Sequence, residues 1–252
     1  GRGVSCTGEP LHRLAANSVA VCGEKAKIAT VGQDGALCVL STAEDDQPFY
    51  KAQDTSSLLG VQFVSCHEVV TCGSYVRQWD TRQRGHTKEF DASVDHSHRR
   101  KIGFESVSLH RDLFYICAGS TDGDVVVWDL RDSTRPLSLH PATHRSAVCW
   151  ETHFALHAPN HVVSCGASGH VVLTHYARMG EVDARLPAAG SSAGTQAHTL
   201  LADSGGVAFT SLDQTRSPDG VGGLAVAASA DHSLWFLPMR DAEYEGAGMP
   251  LL

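Results

Sequence analysis

Five times along this 252-residue chain a short apolar run leads into a small polar turn, and a second apolar run follows at once. The clearest copy occupies residues 116–129. Ile116-Cys117-Ala118-Gly119-Ser120 reaches Thr121-Asp122-Gly123-Asp124, and Val125-Val126-Val127-Trp128-Asp129 leaves it. Asp-Gly between two apolar runs is a strong short-range signal of an antiparallel hairpin, because glycine supplies the positive φ that a tight turn requires. A lone hairpin buries too little to be stable in water. Five in series point to a repeat architecture in which each unit is covered by its neighbours.

The other copies carry the same grammar with different residues. Lys27-Ile28-Ala29-Thr30-Val31-Gly32 turns at Gln33-Asp34-Gly35 into Ala36-Leu37-Cys38-Val39-Leu40. Glu68-Val69-Val70-Thr71-Cys72-Gly73 turns at Ser74-Tyr75 into Val76-Arg77-Gln78-Trp79-Asp80. The fourth copy turns at Ser168-Gly169 and the fifth at Asp231-His232. The turns recur roughly every 40 to 50 residues, with a longer final gap, and two copies end in Trp-Asp. The period and the Trp-Asp endings predict an all-β fold, a WD-repeat β-propeller with about five blades. A further strand precedes each hairpin, and weaker outer strands follow at 49–52, 88–90 and 136–139. The predicted blades span 14–54, 57–92, 103–142, 144–186 and 200–244 of a single domain, 1–252, with flexible surface loops at 91–102, 187–206 and 213–223.

Blade packing assigns structural roles. Inner strands covered on both faces become continuous Val, Ala and Cys runs. Asp34, Asp122, Trp79, Asp80, Trp128 and Asp129 are the expected blade-building residues. Ser120, Asp122 and Trp128 fit three positions of the polar network common in such repeats, and no histidine completes it from sequence alone. Trp128 is expected to be buried.

Net charge is -8, so the chain repels a phosphate backbone, and no direct nucleic-acid contact is expected. No apolar run approaches the roughly 20 residues of a membrane span, so no membrane insertion is expected. The chain opens on Gly1-Arg2-Gly3 rather than Met and is read as N-terminally incomplete. Eight cysteines contain no C-x-x-C pair. They read as small buried hydrophobes in a reducing compartment, and no metal or cofactor is expected.

Catalytic signals are weak. Gly190-Ser191-Ser192-Ala193-Gly194 matches G-x-S-x-G, but a nucleophile elbow needs a strand before it and a helix after it. His153, His157 and His161 are four apart, a helical zinc spacing; on strands that spacing puts them about 13 Å apart. No catalytic residue is assigned. Trp79-Asp80-Thr81-Arg82 and Trp128-Asp129-Leu130-Arg131 share W-D-x-R. Either Arg82 and Arg131 pair with a nearby carboxylate, or they contact a partner. W-D-x-R resembles the motif by which propeller substrate receptors dock onto a cullin ubiquitin-ligase adaptor.

A more specific likeness covers residues 19–176. Thr30-Val31-Gly32-Gln33-Asp34-Gly35, Leu58-Leu59-Gly60-Val61-Gln62-Phe63, Arg77-Gln78-Trp79-Asp80-Thr81-Arg82-Gln83, Ala118-Gly119-Ser120-Thr121-Asp122-Gly123, Val127-Trp128-Asp129-Leu130-Arg131 and Trp150-Glu151-Thr152-His153-Phe154 occur in that order. The series resembles a WD-repeat nucleoporin of the forty-three-kilodalton type, from the Y-shaped outer-ring complex of the nuclear pore. The resemblance implies blades drawn from a seven-bladed ring, no catalytic residues, and docking onto other Y-complex nucleoporins. It implies a scaffold role in nucleocytoplasmic transport of mRNA and protein. The implied location is the nuclear envelope, with the kinetochore as a second site in dividing cells.

Overall fold

Closely spaced Gly, Asp and Ser turns leave no stretch long enough to build a helix, and the computed structural model consists of strands and turns throughout its described residues. These are 10–23, 26–41, 50–92, 102–110, 114–140, 143–144, 147–156, 160–176, 197–202, 206–216 and 223–239. Where the sequence reading sets one domain over 1–252, the chain divides into two units, Gly1–Asp91 and Ala92–Leu252. The division falls where the polar, His-rich segment 91–102 begins.

The first unit holds two four-stranded antiparallel sheets. One runs in order through β1 (Ala16–Cys22), β2 (Lys27–Gly32), β3 (Ala36–Ser41) and β4 (Tyr50–Gln53). The other runs through β5 (Leu58–Ser65), β6 (Glu68–Gly73), β7 (Val76–Asp80) and β8 (His86–Phe90). Val31, Leu37, Val39, Leu58, Val61, Val69 and Trp79 meet in one buried cluster, so the two sheets share a core. The Asn17 side-chain amide donates to Leu58 O at 2.8 Å and the Lys27 ammonium to Cys66 O at 2.7 Å, tying the sheets at their seam.

The second unit holds two more four-stranded antiparallel sheets and one three-stranded antiparallel sheet. β9 (Phe104–Leu109), β10 (Tyr115–Ser120), β11 (Val125–Asp129) and β12 (Ser138–His140) form one; β13 (Cys149–Phe154), β14 (His161–Gly166), β15 (His170–His175) and β16 (Ala197–Ala202) form the next. The last contains β17 (Phe209–Arg216), β18 (Gly223–Ser229) and β19 (Leu234–Met239). Cys117, Val125 and Val127 pack on Cys149, Phe154, Val162 and Tyr176; Val163, Leu173 and Val171 pack on Phe209, Leu212 and Ala227. Each sheet therefore buries its neighbour's face, which is why the middle strands are continuously apolar.

Two loop boundaries are corrected. β16 lies inside the expected loop 187–206, so the fourth blade extends to Ala202 rather than ending at 186, and the fifth sheet begins at Phe209 rather than at 200. Ala197-His198-Thr199 reads as polar because an outermost strand has an edge in water. The expected loop 213–223 begins as strand: Asp213, Gln214, Thr215 and Arg216 pair with Val226, Ala225, Leu224 and Gly223. Their polarity serves the neighbouring sheet, since Gln214 Nε2 donates to Phe154 O and the Arg216 guanidinium to Leu156 O.

The turns show why the repeat uses Asp-Gly. Gly35, Gly123 and Gly169 occupy the same turn position with φ of 73°, 84° and 71°, and His232 takes that position in the last sheet at 70°. At Gly123 a Cβ would strike Ala147 O, so space as well as φ requires glycine there.

Candidate interaction surfaces

The two W-D-x-R turns are built alike. Trp79 is buried and its indole N–H donates to Thr71 Oγ1 at 2.8 Å. Asp80 follows, buried at the end of β7, and accepts from Arg82 N at 2.9 Å and from Arg82 Nη2 at 2.7 Å. Trp128 is fully buried and meets Phe104 edge-on at 5.6 Å. Asp129 accepts from Arg131 N at 2.8 Å and from Arg131 Nη2 at 2.6 Å. The side-chain bonds from Arg82, with its backbone N–H, hold the Asp80 carboxyl down at about 2, and Arg131 lowers Asp129 in the same way. Each arginine thus clamps the aspartate of its own motif, two residues back, and shapes the chain's exit from the strand. Both side chains remain about 60% exposed, 63% for Arg82 and 61% for Arg131. Arg131 also lies over the exposed Phe114 ring at 5.1 Å.

The turns at the opposite hairpin ends carry polar relays. In the first sheet His12 bonds Asp34 Oδ1 through Nδ1 at 3.1 Å and Thr30 Oγ1 through Nε2 at 2.9 Å. Burial pushes the Asp34 carboxyl up, but the backbone N–H groups of Arg13 and Ala36, together with His12, outweigh it and leave it at about 2. In the fourth sheet His144 repeats the arrangement, with Nδ1 to Ser168 Oγ at 3.0 Å and Nε2 to Ser164 Oγ at 2.9 Å. Sequence reasoning missed both histidines. Each comes from the connection before its blade, 22 or 24 residues ahead of the turn residue it touches. In the third sheet Ser120 Oγ accepts from Asp122 N at 3.2 Å and Asp124 N at 2.9 Å, closing the turn, and Asp122 is half-buried.

The two described histidines of the four-apart series have separate partners. His153 Nε2 pairs with Glu151 Oε1 at 3.1 Å, and Glu151 Oε2 accepts from Leu212 N at 2.6 Å, joining the last two sheets. His161 meets His175 edge-on at 5.0 Å, and His157 lies outside the described residues. The G-x-S-x-G segment at 190–194, with Ser192, also lies outside them. Among the described residues no group of three His, Cys, Asp or Glu side chains is placed to hold a metal ion. Cys22, Cys38, Cys72, Cys117, Cys149 and Cys165 are buried, and burial pushes the Cys117 and Cys165 thiols up to about 12. One concavity, between the ends of β9, β13 and β17, measures about 210 Å³, below the range of about 300 Å³ and upward typical of small-molecule sites.

Exposed apolar side chains mark the remaining surface. In the first unit they include Leu14, Val19 and Val21; in the second, Phe114, Trp150, Leu234, Trp235 and Phe236.

Antiparallel sheets packed face to face, four of the five four-stranded, with Trp-Asp closing the third strand in two and Asp-Gly turning the hairpin in two, define a protein of the WD-repeat propeller class. The nucleoporin likeness within that class is borne out by three curated relatives. The chain is 29% identical over 166 residues to Nucleoporin Nup43 of Homo sapiens, covering 64% of this chain and 42% of that protein. It is 31% identical over 153 residues to Nucleoporin Nup43 of Mus musculus, covering 59% and 39%. It is 29% identical over 167 residues to the Nuclear pore complex protein nup43 of Dictyostelium discoideum, covering 64% and 38%. The matched region spans about two fifths of the length of these relatives. No family model matches the chain.

Proposed function

We propose that the protein is a non-enzymatic scaffold subunit of the nuclear pore complex outer ring. On this reading it docks other Y-complex nucleoporins through blade rims and loops and supports nucleocytoplasmic transport. The observation that carries the reading is the shared likeness to three nuclear pore proteins over roughly three fifths of the chain. The shallow surfaces support it, since broad interfaces draw their energy from aromatic and arginine anchors rather than from deep pockets. Trp79, Asp80, Asp34, Asp122, Trp128 and Asp129 serve as blade builders in this account, and Arg82 and Arg131 as rim contacts. Fluorescent tagging of the chromosomal copy tests it. A nuclear rim signal coincident with pores is expected; a diffuse cytoplasmic signal would overturn the reading.

A second reading, a substrate receptor of a cullin-type ubiquitin ligase, is favoured by the exposure of Arg82 and Arg131. It requires adaptor binding that disappears in the Arg82→Glu/Arg131→Glu double variant. On the scaffold reading no adaptor binding is measurable in either protein.

A further inference from the structure

Within each unit, neighbouring sheets meet through a fixed set of strand positions. Between the first and second sheets the forward face, turned toward the next sheet, carries Ala29, Val31, Leu37 and Val39; the rear face that receives it carries Val61, Phe63, Val69 and Trp79. Between the fourth and fifth sheets the forward face carries Val163, Cys165, Val171 and Leu173, and the rear face Phe209, Leu212, Ala225 and Ala227. Residues paired across strands share a face, as do alternate residues along a strand. Val31 opposite Leu37 and Ala29 opposite Val39 correspond to Cys165 opposite Val171 and Val163 opposite Leu173. Both seams therefore use the same register.

Two further faces follow that register and stand exposed. The rear face of the first sheet carries Val19, Val21, Ile28 and Leu40. Val19 pairs with Thr30, Val21 with Ile28 and Ile28 with Leu40, as Val61 pairs with Thr71, Phe63 with Val69 and Val69 with Trp79. These four are the repeat equivalents of the residues by which the second sheet meets the first, yet Val19 is 63% and Val21 68% exposed. The forward face of the fifth sheet carries Val226, Ala228, Leu234 and Phe236. Val226 pairs with Phe236 and Ala228 with Leu234, as Val163 pairs with Leu173 and Cys165 with Val171. The four equivalents in the fourth sheet are fully buried, whereas Leu234 and Phe236 are each 61% exposed. Contiguous apolar surface of this kind marks a contact site.

We propose that these two faces are the halves of one further seam, formed between copies of this chain: the fifth sheet of one copy packs its forward face on the rear face of the first sheet of another. Each copy supplies the half that the other needs, in the register the chain already uses inside both units. None of the eight side chains is charged or polar. The seam joins unlike faces, so it is heterologous and leads to a closed ring or a growing chain rather than to a two-fold dimer. Four apolar side chains a side make a small interface, so association is expected only above roughly 10 µM, and dilute protein keeps β19 in water.

Sedimentation velocity of the full chain, from about 1 to about 300 µM, tests the proposal. The parent is expected to rise above its 26.9 kDa monomer mass as concentration increases. Val21→Asp spoils only the rear face and Phe236→Asp only the forward face, so each variant alone should stay monomeric. Their equimolar mixture should associate again and stop at the dimer, because the one intact face of each variant finds its counterpart on the other. Urea midpoints in dilute solution equal to the parent's show that the variants fold, and Val21→Ser with Phe236→Ser serve in the same scheme if an aspartate disturbs a strand. A parent that is monomeric throughout, the result if another protein covers these faces, would overturn the proposal. So would a single variant that still associates, or a mixture that does not. Each outcome is independent of whether the protein resides at the pore.

Discussion

β11 and β19 hold the same place in the repeat, the third strand after the turn, yet they meet opposite environments. Val125, Val126, Val127, Trp128 and Asp129 are all buried, while Leu234, Trp235 and Phe236 are exposed, Leu234 and Phe236 at 61% each. Composition does not explain the difference, since both strands are strongly apolar. Neighbours do. β12 covers the outer edge of β11, and the sheet of β13 covers its face through Cys149, Phe154 and Val162. Among the described residues no strand pairs with the outer edge of β19. Pro238 suits that position, because proline has no N–H to offer a further strand. An apolar run in this chain therefore announces a surface to be covered, and the fold decides whether cover is present.

The largest expected effect is Trp128→Ala. Removing a fully buried indole should cost about 3–5 kcal/mol in urea unfolding, and a neutral result would break the claim that β11 is core. Acid should act next, because three groups respond together. Burial, reinforced by a nearby histidine in each case, lowers His140, His144 and His161 to about 4, so the fold holds them neutral. The unfolded chain takes up those protons first as pH falls below about 6.5. Stability should be intact above that value and lost progressively from about 6.5 down to 4. Amide exchange should show the sheets of β11 and β14 losing more protection than β19 over that range.

His144→Ala comes third. It removes the buried bond to the Ser164 hydroxyl and the one to Ser168, and should cost about 1–3 kcal/mol. Smallest is Phe236→Ser, expected within about 0.5 kcal/mol of the parent because the ring is already in water. A cost comparable to Trp128→Ala would mean that β19 is covered after all, and the comparison would fail.

The same contrast shows what sequence conveys. Hairpins are local: Asp-Gly turns and continuous Val and Cys runs lie within a few residues of one another, so the five repeats could be read directly. The His12 and His144 relays depend on residues more than twenty positions from their partners and on which loop the fold lays over the turn. β16 and the end of β17 read as loops because their polar side chains serve water or the adjoining sheet rather than their own. Pairing of the W-D-x-R arginines with a nearby carboxylate could be read; that the carboxylate is the motif's own Asp80 or Asp129 could not, since a two-residue clamp leaves no periodic trace.

The most direct measurement of the scaffold proposal is quantitative affinity purification of the tagged, full-length protein from cells under mild salt. The proposal predicts outer-ring nucleoporins in near-stoichiometric amounts. An eluate without nucleoporins, or one dominated by a cullin adaptor, would contradict it.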